Sequence, residues 1–374
     1  MSFQFGFSEE ILSDNGDSNQ SMGNHGHSAP EGQNLKPSPL DSEFLKSPEV
    51  KQPVVIELQQ LLQTIRGIRV SYEKFKSPEC QTQLYRRELF DVKHQLMTED
   101  TKTEIGSAAT TDEFQILLGE TNEDLRKYVY EGGLKSWECS LDLADVLSLQ
   151  NWRDRFPDCV VEMGCGSALP SEYLFLQVLQ RNVPGTKFVL TDYNEFALRL
   201  VTLPNFVIGW AATVLNDVER VELQRCDDDT IPIVEGELLF TDVLLEAFVK
   251  DISSRGIELT FISGAWGRVF YEMLESLTVR STNLLLLTSE TIYNPETLPV
   301  IGEIILELTS KIKQDPRQVI TTMVAAKDIY FGVGGSVIEF QRYMENRIRE
   351  ESVKITLSTL KVNSGLKRSI VVFD

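Results

Sequence analysis

The chain has 374 residues, enough for one large or two modest domains, and its 42% hydrophobic content is ample for a buried core. Acidic residues outnumber basic ones by 56 to 36, a net charge of −20, which disfavours free nucleic acid and suits a Lys/Arg-rich protein partner, besides serving solubility. Five cysteines without a C-x-x-C pair speak for a reducing compartment and against a disulfide framework or structural zinc. The opening Met1–Phe7 has neither the basic region nor the apolar core of a leader peptide. No stretch reaches the roughly 18 apolar residues of a membrane span, so the expected location is cytoplasmic and nuclear.

Residues 8–53 are rich in Ser, Asn, Gly, Asp and Pro and poor in aliphatics, which predicts disorder. His25 and His27 fall in that tract, where the bland reading outweighs a metal site. From Val54 to Val70 the apolar positions Val55, Leu58, Leu61, Leu62 and Ile65 keep helical spacing, and Leu84–Met97 offers a shorter helix or an extended piece. Residues 54–130 are read as an extension docking on the main domain, which begins at 131.

From there strands and helices alternate. A helix over Trp137–Leu149 precedes strand one, Cys159–Met163, and a helix running to about Arg181 with Pro170 near its start. Strand two is Phe188–Thr191, followed by a helix from Glu195 that Pro204 should end. Residues 205–257 read as an insertion, with an acidic turn at Asp227–Asp229 and a helix over Leu238–Ile252. Strands three, four and five are Leu259–Ser263, Leu284–Thr288 and Val319–Ala325, with helices over Val300–Leu308 and beyond Gly335. A closing pair near Val353–Ser358 and Ser369–Phe373, with an Asn363-Ser364-Gly365 turn, suggests an antiparallel edge hairpin. The expected fold is α/β: a seven-stranded, mostly parallel Rossmann-like sheet covered on both faces.

Ligands of such sheets bind beyond the carboxyl ends of the strands. Strand one ends in Glu162-Met163-Gly164-Cys165-Gly166, a Gly-x-Gly turn in which the backbone can lie against a ligand. Leu169 stands where a dinucleotide fingerprint needs its third glycine, and Glu162 would repel phosphate, so NAD fits poorly. A nucleoside with a positive charge, S-adenosylmethionine, fits better. Asp192, at the tip of strand two, is placed to accept both ribose hydroxyls, although a turn or helix-capping role is the alternative. Aromatics mark the same rim: Trp266 between Gly264, Ala265 and Gly267, Tyr293 after Ser289-Glu290, Tyr330 after strand five, and Trp137 upstream.

The runs YEGGLKSWEC, VVEMGCGSALP, LTDYN, ISGAWG, LTSETIYNP, AAKDIYFGVGG and SGLKRSI resemble the protein-histidine methyltransferase family, over nearly all of the chain from about residue 84. The resemblance implies the class I methyltransferase sheet and methyl transfer from S-adenosylmethionine, without a metal. The acceptor it implies is the tele nitrogen of one histidine in a large-subunit ribosomal protein, the third, and ribosomal proteins are strongly basic. It also implies that Ser136, Trp137, Glu138 and Cys139, then Glu162, Gly164 and Gly166, then Asp192, Tyr193 and Asn194, then Gly264, Ala265, Trp266 and Ser289 line the cofactor. Asp192 would hold the ribose and Trp266 would lie by the adenine. Vertebrate members carry an acid where this chain has Ala265, so no carboxylate role transfers to that position.

A neutral imidazole is already a nucleophile near pH 7, so alignment matters more than base catalysis. A carboxylate accepting the other ring N–H would fix the tautomer. Glu290 is the candidate for that role, with Tyr293 shaping the pocket; the alternative is that Glu290 caps the helix after strand four. Two other readings stay open: a lysine methyltransferase of the same sheet class, and a non-catalytic ribosome-assembly or translation factor. A monomer is expected.

Overall fold

The computed structural model describes residues 37–100, 133–150, 156–181, 185–330, 332, 334–362 and 365–374, without the side chains of residues 97, 99 and 100. His25, His27, residues 101–130 of the docking extension and most of the Asn363-Ser364-Gly365 turn lie outside that set. Elements below are numbered over the described residues.

The central sheet is built from β1 (Val54–Ile56), β4 (Cys159–Met163), β5 (Lys187–Asp192), β7 (Glu258–Ser263), β8 (Asn283–Ser289), β9 (Val319–Lys327), β10 (Leu357–Val362) and β11 (Arg368–Phe373). Their order is β1-β7-β5-β4-β8-β9-β11-β10. The pairs β5/β7, β4/β5, β4/β8 and β8/β9 are parallel. The pairs β9/β11 and β10/β11 are antiparallel. Leaving out β1, this is the seven-stranded, mostly parallel sheet that the alternating pattern predicts, closing hairpin included. The inner strands are apolar nearly throughout because helices cover both faces; all five residues of β4 are buried.

Several predictions need correction. The sheet has an eighth strand: Val54 and Ile56 pair antiparallel with Ser263 and Phe261, so the helical run expected from Val54 is instead β1 followed by α1 (Leu58–Ile65). Three residues of β-branched sequence next to an open sheet edge gain more from the ladder than from one more helical turn. The tenth strand starts at Leu357 rather than near Val353, after α10 (Val337–Glu351). The stretch from Leu84 holds both of the offered alternatives, β3 (Gln83–Arg87) and then α2 (Leu89–Asp100).

A further correction concerns Pro204. The helix α5 runs from Glu195 to Val214 straight through that proline. A proline inside a helix removes one N–H and orphans the carbonyl four residues earlier, here Leu200. Arg87 donates from Nη1 to that carbonyl at 3.1 Å, which replaces the missing bond. The turn just before it, Leu198–Thr202, is a wide π-type turn that relieves the ring's clash. This helix is also long and apolar enough to span a membrane, contrary to the expectation that none is, but 78% of that apolar stretch is buried in the fold. It is a core helix.

Residues 205–216 therefore complete α5 and its exit, and the presumed insertion starts with α6 (Asp217–Arg225). Its strand β6 (Glu237–Leu239) pairs with β2 (Arg69–Lys76), which also pairs with β3, forming a second, three-stranded sheet. Helix α7 (Asp242–Ser254) leads back to β7. Residues 37–53, expected to be disordered, form two short 3₁₀ turns, Pro39–Asp41 and Glu43–Lys46, with Leu40 buried.

Candidate active site

A cavity of about 520 Å³ opens at the carboxyl ends of β4, β5, β7, β8 and β9. Its floor is the turn after β4, where Gly164 and Gly166 take φ of +64° and +49°. A Cβ at Gly164 would sit 2.6 Å from Thr291 Cγ2 and 3.3 Å from the Trp266 ring, and one at Gly166 2.9 Å from the Gly133 carbonyl. Glycine is thus required by backbone sign and by close protein neighbours, not only by a ligand. Helix α5 holds the turn from behind: Thr202 Oγ1 donates to the Gly166 carbonyl at 2.6 Å, and Asn205 Nδ2 to that of Ser167 at 2.8 Å. The wide turn at Leu198–Thr202 lies where the helix makes these contacts.

Asp192 ends β5 with its carboxylate at the cavity wall. Oδ2 accepts from Gly166 N and Oδ1 from Asn194 N, both at 3.0 Å. Among the described residues each oxygen keeps a second lone pair. Burial pushes the carboxyl up to about 6, and the two N–H donors oppose that rise. The turn role and the ligand role are therefore compatible in one side chain.

The opposite wall carries a second acid. Glu290 takes a left-handed backbone, φ +57°, which costs energy in a residue with a side chain. Its Oε2 accepts from the Tyr330 hydroxyl at 2.6 Å, and that hydroxyl in turn accepts from Lys327 N at 3.2 Å. Oε1 makes no full hydrogen bond among the described residues, with Lys327 Nζ 3.7 Å away. Lys327 also reaches Glu138 Oε2 at 3.3 Å and stands 5.2 Å over the Trp137 ring. Burial alone would lower the lysine, but Glu290 and Glu138 outweigh it and hold it charged. Burial and the neighbouring Glu290 push the Tyr330 phenol up, so it stays a donor. The same two causes hold the Cys139 thiol protonated.

No protein-family model matches the chain. Histidine protein methyltransferase 1 of Saccharomyces cerevisiae is 51% identical over 342 residues, 90% of this chain and 88% of that protein. The chain belongs to the histidine protein methyltransferase family. Histidine protein methyltransferase 1 of Schizosaccharomyces pombe is 33% identical to this chain, covering 77% of this chain and 76% of that protein. Among solved structures, an rRNA methyltransferase from Streptomyces viridochromogenes aligns at 12% identity and TM-score 0.34, over 64% of this chain and 88% of that one. A putative O-methyltransferase from Klebsiella pneumoniae aligns at 10% and 0.31, over 75% and 88%.

In this methyltransferase the cavity gathers Trp137, Gly164, Gly166, Asp192, Tyr193, Ala265, Trp266, Ser289, Glu290 and Tyr293 from the predicted set. Others stand behind it. Glu162 is fully buried beneath α4 (Leu169–Arg181), accepting Ser171 N at 3.0 Å, and burial pushes it up to about 8. Gly264 is needed because a Cβ there would strike the Gln52 carbonyl at 2.6 Å. Ser136 reaches the site through Ser167 Oγ at 3.1 Å, Cys139 is buried, and Asn194 caps α5. Glu138 is exposed and acts on Lys327. The helix-capping alternative for Glu290 fails, since α9 (Leu298–Ile312) begins eight residues later with Thr297 at its N-cap.

Tyr330, marked in the sequence only as a rim aromatic, also lines the cavity, and several lining residues were not singled out: Thr291, Lys327 and, from the N-terminal segment, Pro39, Ser42, Phe44 and Leu45. Tyr330 and Lys327 carried a signal, being a cation and an aromatic just past strand five. The N-terminal residues carried none. Among the described residues no group of three His, Cys, Asp or Glu gathers to hold a metal.

Proposed function

We propose that this chain methylates a protein histidine, using S-adenosylmethionine as donor, and that the acceptor is the tele nitrogen of one histidine in a large-subunit ribosomal protein, the third. The residues present suit that donor. The Gly164–Gly166 turn is bare backbone, Asp192 retains two lone pairs for a diol, and Trp266 Nε1 is buried without an acceptor among the described residues. When bound, S-adenosylmethionine supplies a methyl group on a sulfonium sulfur.

The observation that carries the reading is Glu290, a nearly buried carboxylate at the end of β8, the strand beside the one that ends in the glycine turn. Its Oε2 is fixed by Tyr330, and its Oε1, beside Lys327 and the Cys139 thiol, makes no full hydrogen bond among the described residues. Accepting the pros N–H of an incoming imidazole would hold the tele nitrogen deprotonated with its lone pair outward. After transfer, the ring's extra proton would leave by the same carboxylate. Tyr293, whose ring lies 6.2 Å from that of Tyr330, would form the side of the slot. A lysine acceptor is served less well, because Lys327 already places a positive charge beside Glu290.

The net charge of −20 suits a basic protein substrate met in the cytoplasm or nucleus. Mass spectrometry of ribosomal proteins from cells with and without this chain tests the reading. Loss of one methylhistidine in the third large-subunit protein is expected; an unchanged methylhistidine inventory overturns it.

A further inference from the structure

The segment before β1 is part of the cavity, although nothing in its composition marks it. It crosses the loop after β7 in close contact. Ala265 N donates to the Lys51 carbonyl at 2.8 Å, and Gln52 and Pro53 fill the space beside Gly264, which has φ +118°. Leu45 lies on Gly267, where a Cβ would come within 3.0 Å of Leu45 Cδ1. Leu40 and Leu45 belong with Trp266 and Phe270 to one apolar cluster.

A charged latch fixes the far end of this segment. Arg268, the first residue of α8 (Arg268–Thr278), donates to both carboxylate oxygens of Asp41 at 3.1 and 2.9 Å. The same guanidinium grips Glu307 of α9 at 2.5 and 3.0 Å. One arginine thus ties the segment to two helices that flank the cavity mouth, in the paired geometry that makes such contacts directional. Asp41 is held below the usual carboxylate range, chiefly by the Arg268 hydrogen bonds. On either side of the latch, Pro39, Ser42, Phe44 and Leu45 line the cavity together with Trp266.

We infer that residues 39–45 are the roof of the methyl-donor site, covering the purine end of the nucleoside against Trp266. This rests on the donor proposed above. An apolar strip from Pro39 and Leu45 opposite an indole suits a flat heterocycle, which gains most when both faces leave water. It does not suit the charged amino-acid end. The N-terminal segment is then a component of the binding site rather than an appendage, and product release requires the roof to lift.

The full-length chain tests this with two probes, S-adenosylhomocysteine and 5′-methylthioadenosine, which lacks the amino-acid end. Calorimetry on wild type comes first, and absent binding of either probe removes the donor assignment itself. With binding established, the double variant Phe44→Ala/Leu45→Ala should weaken both probes about tenfold, while its ligand-free melting temperature stays within a few degrees. Unchanged affinity for both probes overturns the roof, and so does weakening confined to S-adenosylhomocysteine. Hydrogen exchange on wild type decides the matter independently of any variant's folding. Amides 40–46 should exchange at least tenfold more slowly with S-adenosylhomocysteine bound, and equal rates overturn the inference.

Discussion

If Asp192 binds the ribose as a carboxylate, donor affinity must depend on pH in a range where few side chains titrate. The carboxyl is pushed up to about 6 because it is buried, and among the described residues two backbone N–H groups stabilise its charge. Two donating hydroxyls favour the ionised form, so binding expels the proton wherever the free site still holds it. With that midpoint, about nine-tenths of sites are ionised at pH 7 and about one-tenth at pH 5. Affinity for S-adenosylhomocysteine should therefore fall about tenfold between those values, roughly 1.4 kcal/mol. Calorimetry at pH 6 in two buffers of different ionisation enthalpy should find about half a proton released per ligand. An affinity flat from pH 7 to 5, with no proton released, would refute the argument. Asp192→Asn should abolish the pH dependence and weaken binding. It should also lower the melting temperature, because an amide cannot accept from Gly166 N and Asn194 N together.

Glu290→Ala should collapse turnover on the histidine substrate while leaving S-adenosylhomocysteine affinity within a few-fold; wild-type turnover would remove Glu290 from the mechanism. Glu162 sits near 8 when folded against an ordinary 4.5. Its raised value means that folding favours the protonated acid. Stability is then full below pH 4.5 and is lost as pH rises through 8, by up to about 1.4 kcal/mol per pH unit. Glu162→Gln should accordingly melt higher than wild type at pH 8 and show a flatter profile, and parallel profiles in a thermal scan would count against the buried-acid account. Gly164→Ala must place a Cβ 2.6 Å from Thr291 at φ +64°, so a loss of about 1–2 kcal/mol in stability and at least tenfold in donor affinity is expected in melts and calorimetry. Arg87→Ala should destabilise by about 2–4 kcal/mol in denaturant unfolding, because it strips the Leu200 carbonyl and Asp91 of their donor.

Strand-by-strand alternation, the Gly164–Gly166 turn and the carboxylate tip at Asp192 were determined by local sequence. A buried parallel strand needs an unbroken apolar run, and a tight ligand turn needs glycine, whatever the rest of the chain does. The rim aromatics Trp266 and Tyr293 follow once the strand ends are known. What depended on partners distant in sequence could not be read this way. Pro204 marks a helix end by every local rule, and only the arrival of Arg87 from β3 lets α5 continue. Val54–Ile56 carries an acceptable helical spacing, and only the free edge of β7 makes it a strand. Glu162 looked like a site residue because it adjoins the turn, yet alternation points its carboxylate beneath α4, away from the cavity.

Residues 39–45 show the same division most clearly. Their composition by itself is that of a solvated tract, because too few apolar groups lie close in sequence to offset the entropy of ordering. Arg268, Glu307, Gly264 and Gly267 supply from elsewhere the charges and the flat surface that hold the segment down. Chain-local chemistry thus decided the sheet and the ligand turn, whereas contacts across more than 200 residues decided what closes over them.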